Sequence, residues 1–122
     1  MTLLLVAVGA AVGAPLRYLT DRFIQARHDT VFPWGTLTVN VAGSLIFGAL
    51  SGAARTGRLD PALLTVLGPG FCGALTTYSS FGYETLRLAE DGSSLLAAAN
   101  VAVSLLAGLG AAFIGAAVAA AI

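Results

Sequence analysis

Four long stretches of this chain contain no aspartate, glutamate, lysine or arginine; they lie at residues 1–16, 30–54, 61–83 and 92–122. A helix that crosses a membrane needs about 20 mostly apolar residues. The last three stretches reach that length, and the first reaches it if Arg17 and Tyr18 lie at the membrane–water boundary. Four membrane crossings joined by short connections are therefore the natural reading of the charge pattern.

Composition argues against a soluble helical domain. Charged residues make up 10% of the chain and the mean hydropathy is +0.89, whereas a soluble domain carries roughly 25% charged residues. Six arginines and six acidic residues are too few to build a water-facing surface. We predict an all-α membrane protein with a single four-helix transmembrane domain over residues 1–122, its helices at about 3–19, 35–54, 62–88 and 94–121.

The first apolar stretch has one alternative interpretation, a signal peptide ending at the small residues 12–14 (VGA). A signal peptide needs a basic region before its apolar core, and no basic residue precedes this one. Orientation is weakly encoded, because basic residues in the loops set it and they are nearly balanced. The first and third connections carry Arg17, Arg22, Arg27 and Arg87, and the second carries Arg55 and Arg58.

Few residues suit catalysis or metal binding. Cys72 is the single cysteine, which rules out an internal disulfide, and His28 is the single histidine. No nucleophile–base pair and no nucleotide motif is legible. We therefore expect neither an enzyme nor a nucleic-acid-binding protein.

Polar side chains recur at helical spacing inside the apolar segments. Thr36, Asn40 and Ser44 are four residues apart and share one face of the second helix, and Asn100 and Ser104 do the same on the fourth. An amide in hydrocarbon needs hydrogen-bond partners, so Asn40 is expected to face protein or water. These residues are expected either to join helices or to line a narrow polar path.

The third segment contains the most unusual stretch, GFCGALTTYSSFGYE at 70–84. The preceding residues 68–70 (GPG) weaken a helix, and a break inside a membrane is tolerated where the freed carbonyls are buried or line a cavity. If the helix resumes after Thr76, Tyr78 and Phe81 lie within about 60° of each other. Thr76, Ser80 and Glu84 then form a neighbouring polar stripe.

Three blocks of this sequence resemble the signature of the Fluc (CrcB) family of small bacterial fluoride channels. They are GAPLRY at 13–18, WGTLTVNVAGSLIFG at 34–48 and GFCGALTTYSSF at 70–81, in the same order and spacing. The resemblance implies an antiparallel homodimer inserted in dual topology, with two fluoride pores. It also implies a central structural Na⁺ held by the backbone carbonyls of Gly73 and Thr76, in keeping with the preference of a hard cation for oxygen ligands.

The resemblance also implies the residues that meet fluoride. Tyr78 and Phe81 match the family's paired pore phenylalanines, whose positive ring edges suit an anion. Asn40 matches a pore-lining asparagine and the hydroxyl track matches Ser79, Ser80 and Ser104. The sequence departs from the family pattern at Tyr78, usually phenylalanine, and at Asn100, where tyrosine is common and which we predict to line a wider or wetter pore wall.

Arg17 has two interpretations, as a cation reaching the lipid headgroups or as a vestibule residue that concentrates anions at a pore mouth. The predicted function is passive, selective fluoride export across the cytoplasmic (inner) membrane. The alternative is a proton-coupled exporter of the small multidrug type, which needs a membrane-embedded acid. The first helix has no acid before Arg17, and Glu84 lies near the end of the third. A third alternative is an assembly subunit that transports nothing.

Overall fold

The computed structural model describes residues 1–28 and 31–122, and the regular structure in that part of the chain is helical. The elements are α1 (Thr2–Ala26), α2 (Trp34–Arg55), α3 (Pro61–Thr65), a π-helical segment (Val66–Cys72), α4 (Gly73–Leu75), α5 (Ser79–Glu90) and α6 (Ser94–Ala121). We refer to residues 61–90, from α3 to α5, as the broken segment.

The helices α1, α2 and α6 are each long and apolar enough to cross a membrane. Only 6% of the most apolar stretch of α6 is buried within the protein, and leucines, valines and Phe113 are exposed on its outer surface. An apolar surface of this extent is stable against lipid rather than water. The all-helical membrane architecture predicted from the charge-free stretches is thus confirmed for these helices.

Helix α1 continues well beyond residue 19, where its prediction ends, and stops at Ala26. The extra turns contain no helix-breaking glycine or proline, and Arg22 Nη1 donates to the hydroxyl of Tyr18 one turn earlier at 3.0 Å. A helix does not have to end where the membrane does, so the first charged residue did not mark the end of α1.

The broken segment begins with an N-cap and then widens. Asp60 accepts hydrogen bonds from the backbone N–H groups of Ala62 (3.1 Å) and Leu63 (3.4 Å), and Pro61 occupies the first turn, where its missing N–H costs nothing. The π-helical turn contains Pro69, so the proline widens the helix without ending it. The helix ends only at Thr76, whose backbone is extended (φ −81°, ψ 159°), and resumes at Ser79.

Close backbone contacts hold the helices together. The most extensive interface joins α2 to α6, where a methyl group at Gly48 would overlap the carbonyl oxygen of Ala112. On α1, a methyl group at Gly9 would overlap the carbonyl oxygen of Val66. The small-residue pattern of α1 therefore has a partner in the π-helical segment.

Candidate functional site

The break in the broken segment is held by an amide from α2. Asn40 Nδ2 donates to the carbonyl oxygen of Thr77 at 3.0 Å, and the backbone N–H of Thr77 donates to Asn40 Oδ1 at 2.7 Å. Thr77 is only 8% exposed, so its backbone groups need protein partners. Asn40 supplies one partner for each.

The hydroxyls of the break satisfy local backbone groups. Thr76 Oγ1 donates to the carbonyl oxygen of Cys72 at 2.9 Å, and the N–H of Ser80 donates to Thr77 Oγ1 at 3.1 Å in the first turn of α5. Thr77 was not among the predicted site residues. The sequence did offer one indication of it, because Thr77 follows Thr76, the residue after which the helix was expected to resume. At that point the structure leaves backbone N–H and C=O groups that need hydrogen-bond partners.

A groove of about 280 Å³ runs beside the break and gathers residues from three elements. Its polar lining includes Asn40 and Ser44 of α2 and Ser104 of α6. Its lining from the broken segment comprises Thr76, Thr77, Tyr78 and Phe81. Four predicted pore residues, Asn40, Tyr78, Phe81 and Ser104, thus meet at one surface.

The two rings of the groove form a tilted pair. The ring centroids of Tyr78 and Phe81 are 6.2 Å apart with 41° between their planes, within the range of favourable aromatic contacts. Tyr78 is 84% exposed, so the described residues of this chain leave most of its side chain uncovered. The groove is therefore open on the side where Tyr78 stands.

Asn100 is separated from this groove. Its side chain is 1% exposed and lies between α6 and α5, where Nδ2 donates to Thr85 Oγ1 at 2.8 Å. Ser104 donates to Asn100 Oδ1 at 3.3 Å, so Asn100 reaches the groove only through that hydroxyl. The pore-lining role of Asn100 stays a prediction, and the contacts of its side chain within the described residues join two helices.

A second cavity, of about 260 Å³, holds Arg17 together with Ser79 and Ser80. Tyr18, Asp21, Thr36 and Val39 complete its lining with Thr77, which also lines the groove. Glu84 lies close by and accepts a hydrogen bond from Thr36 Oγ1 at 2.6 Å. Apart from the buried Asn100, the predicted pore and vestibule residues thus divide between this cavity and the groove.

The carbonyl groups at the break suit a hard cation. In an unbroken α-helix the N–H of Thr77 would donate to the carbonyl oxygen of Gly73, but it is directed to Asn40 instead. The carbonyl oxygen of Thr76 accepts no hydrogen bond from residues 1–28 or 31–122. Gly73 and Thr76 both line a further cavity of about 300 Å³ next to the groove. Carbonyl oxygens are ligands that suit Na⁺.

Comparison with known proteins identifies the family and the relatives of this chain. The family model described as CrcB-like protein, Camphor Resistance (CrcB), matches residues 4–116. This chain belongs to the CrcB-like family. A CrcB-like family relative from Frankia casuarinae, named Fluoride-specific ion channel FluC 1, is 62% identical, with 100% of this chain and 98% of the relative covered.

Two further relatives of this CrcB-like chain are also named Fluoride-specific ion channel FluC 1. The Streptomyces avermitilis protein is 62% identical, with 94% of this chain and 93% of the relative covered. The Thermobifida fusca protein is 49% identical, with 94% and 92% covered. With its three long apolar helices, the CrcB-like chain is a multi-pass membrane protein.

Proposed function

We propose that this protein is a fluoride-selective ion channel that lets fluoride leave the cell passively across the cytoplasmic (inner) membrane. The observation that carries the proposal is the groove in which the ring pair Tyr78–Phe81 faces the polar groups of Asn40 and Ser104. Relatives up to 62% identical are named fluoride-specific ion channels, which supports the same function here.

The chemistry of the groove suits a small anion that must bind and leave. Ring edges carry partial positive charge, and hydroxyl and amide donors replace part of the lost hydration. Neither group binds an anion as tightly as a buried cation does, and conduction requires that the ion also dissociate. Hydrogen fluoride that enters as the neutral acid and dissociates inside is trapped without such a path.

The proposed assembly is an antiparallel homodimer in dual topology, each copy crossing the membrane four times with the broken segment as the third crossing. The exposure of Tyr78 on the open side of the groove supports a second copy as the missing wall. Gly73 and Thr76 of both copies would hold a structural Na⁺ at the centre. Bound there, the ion would link the broken segments of the two copies, and fluoride would be bound by the side chains of the groove.

The sodium site and the dimer are tested together by an experimental structure of the protein purified in sodium salts. One density peak is expected between the two Gly73–Thr76 segments, with carbonyl oxygens about 2.3–2.6 Å away, the range that oxygen-ligated cations of this size share with Ca²⁺. A well-ordered dimer with water or nothing between the two segments would remove Na⁺ from the proposal. A monomer would remove the dimer as well.

The function is tested with purified protein in liposomes loaded with both fluoride and chloride. When a potassium ionophore releases the membrane voltage, fluoride is expected to leave rapidly and chloride to stay, because the groove offers compact donors and no fixed cation for a larger anion. The readout is external fluoride and chloride by ion-selective electrodes. Comparable release of both anions, or no release of either, contradicts the proposal.

The same assay separates the channel from a proton-coupled exporter through Glu84. In the Glu84→Gln variant the side-chain oxygen can still accept from Thr36, but the proton-exchanging carboxyl is gone. A channel keeps its fluoride efflux in this variant and needs no proton gradient. An exporter, which depends on a titrating acid inside the membrane, loses coupled transport. Retained fluoride efflux in Glu84→Gln would therefore exclude the proton-coupled exporter.

A further inference from the structure

Nothing in the local sequence explains why the helix stops at Thr76. The stretch around the break, residues 74–78, reads ALTTY and contains neither glycine nor proline. Positive φ values in the described residues occur only at Gly57 and Gly92, both far from the break. Thr76 adopts an extended backbone that any residue tolerates. Alanine, leucine and threonine would continue a helix at little cost, so the break must be stabilised from outside the segment.

Asn40 provides that stabilisation through geometry. A carboxamide presents one acceptor and one donor side by side, which matches the N–H and C=O of a single residue in an extended chain. Asn40 makes both bonds to Thr77, at 2.7 and 3.0 Å. The bond to the N–H removes the donor that Gly73 would receive in a continuous helix. Each bond therefore favours the broken form over the helical one.

We propose that Asn40 is a positioning residue that holds the helix break open by clamping the backbone of Thr77. The inference rests on the proposed function, because the residues at the break also line the groove proposed to conduct fluoride. Tyr78 follows Thr77 directly, so the clamp also fixes where the exposed ring begins. One of the two Nδ2 protons is used by Thr77, which leaves one for the groove that Asn40 lines.

The clamp has a consequence for both ions. With the N–H of Thr77 diverted, the carbonyl oxygen of Gly73 loses its helical partner and the Thr76 carbonyl turns away from the helix axis. The Asn40 side chain thus helps to position both the proposed cation ligands, the carbonyl groups of Gly73 and Thr76, and the ring pair that follows the break. Loss of Asn40 is expected to damage both, where loss of a simple anion donor would weaken fluoride binding only.

The test reads the backbone conformation of Thr76 in the full-length protein without fluoride. In protein labelled with ¹³C and ¹⁵N, the Cα and Cβ chemical shifts of Thr76 are expected to be those of an extended residue. In Asn40→Ala they should leave the extended range, whether the break closes into helix or loses order. In Asn40→Asp, measured with the carboxyl protonated, they should stay extended, because that group accepts from the N–H of Thr77 and donates to its carbonyl oxygen. Ser44→Ala, one turn along the same face, is the matched control and should leave the shifts unchanged.

Unchanged Thr76 shifts in Asn40→Ala would overturn the clamp. If that variant does not fold, Asn40→Ser replaces it, since serine is too short to span both backbone groups of Thr77, and the same outcomes apply. Fluoride efflux of Asn40→Ala should fall about tenfold, the loss expected for one or two buried hydrogen bonds. A wild-type protein that conducts no fluoride would reject the proposed function, while the shift comparison would still decide the clamp.

Discussion

Fluoride efflux is expected to fall at least about tenfold when Tyr78 is replaced by isoleucine, and to be retained when it is replaced by phenylalanine, a difference of roughly 1.4 kcal/mol or more in the barrier. Tyr78 stands at the open side of the groove, 84% exposed, with its ring 6.2 Å from that of Phe81. Isoleucine fills similar space but has no polarised ring edge. Phenylalanine keeps the edge and loses only the hydroxyl.

The comparison separates the ring from the hydroxyl at Tyr78, where the resemblance leads one to expect phenylalanine. Flux is measured in liposomes at matched protein content, with circular dichroism and size-exclusion profiles to show that each variant folds and assembles. Retained flux in Tyr78→Ile together with loss in Tyr78→Phe would show that the hydroxyl acts on the anion. Flux near the wild-type value in both variants would take Tyr78 out of the conduction path.

The second large effect is expected on stability, at the α2–α6 interface. Gly48→Ala should lower the free energy of unfolding by about 1–3 kcal/mol, the usual cost of overpacking. The added methyl group would overlap the carbonyl oxygen of Ala112, and a backbone atom cannot move aside as a flexible side chain does. The measurement is thermal or SDS-induced unfolding in a mild detergent, followed by circular dichroism.

Gly110→Ala provides the matched control within the partner helix. A methyl group built at Gly110 meets no atom within 4 Å in residues 1–28 or 31–122 beyond the neighbouring backbone of its own helix, and alanine favours a helix over glycine by about 1 kcal/mol. This variant should unfold at the wild-type temperature or above it. A Gly48→Ala protein as stable as Gly110→Ala would mean that the two helices separate slightly at no cost, contrary to the close contact.

Much of the architecture was readable from the distribution of charge. Each charge-free stretch overlaps one of the four segments α1, α2, the broken segment and α6, because a membrane strongly penalises a charge in its interior. Periodicity also predicted which side chains share a face. Thr36 and Asn40 both contact the broken segment, through Glu84 and Thr77 respectively.

Periodicity could not identify the partners, because a face of a helix says nothing about what packs against it. Asn40 and Asn100 look alike in sequence, each followed by a serine one turn later. One clamps the break, while the other lies buried against Thr85, away from the groove. The extent of α1 was likewise underestimated, since the helix continues past the charge-free stretch to Ala26.

The sequence by itself determined the class of protein, the approximate number of apolar segments, the polar positions within them and, through its three blocks, the family. The tertiary structure alone decided which side chain from another helix bonds to the break in the third helix and which residues surround that break. The glycine–proline motif at 68–70 pointed to a weak helix, yet the chain there only widens, and the break lies further on at Thr76. The physical reason is that the break depends on a hydrogen-bonded pair 37 residues apart in the chain, Asn40 and Thr77, and no local propensity encodes such a contact.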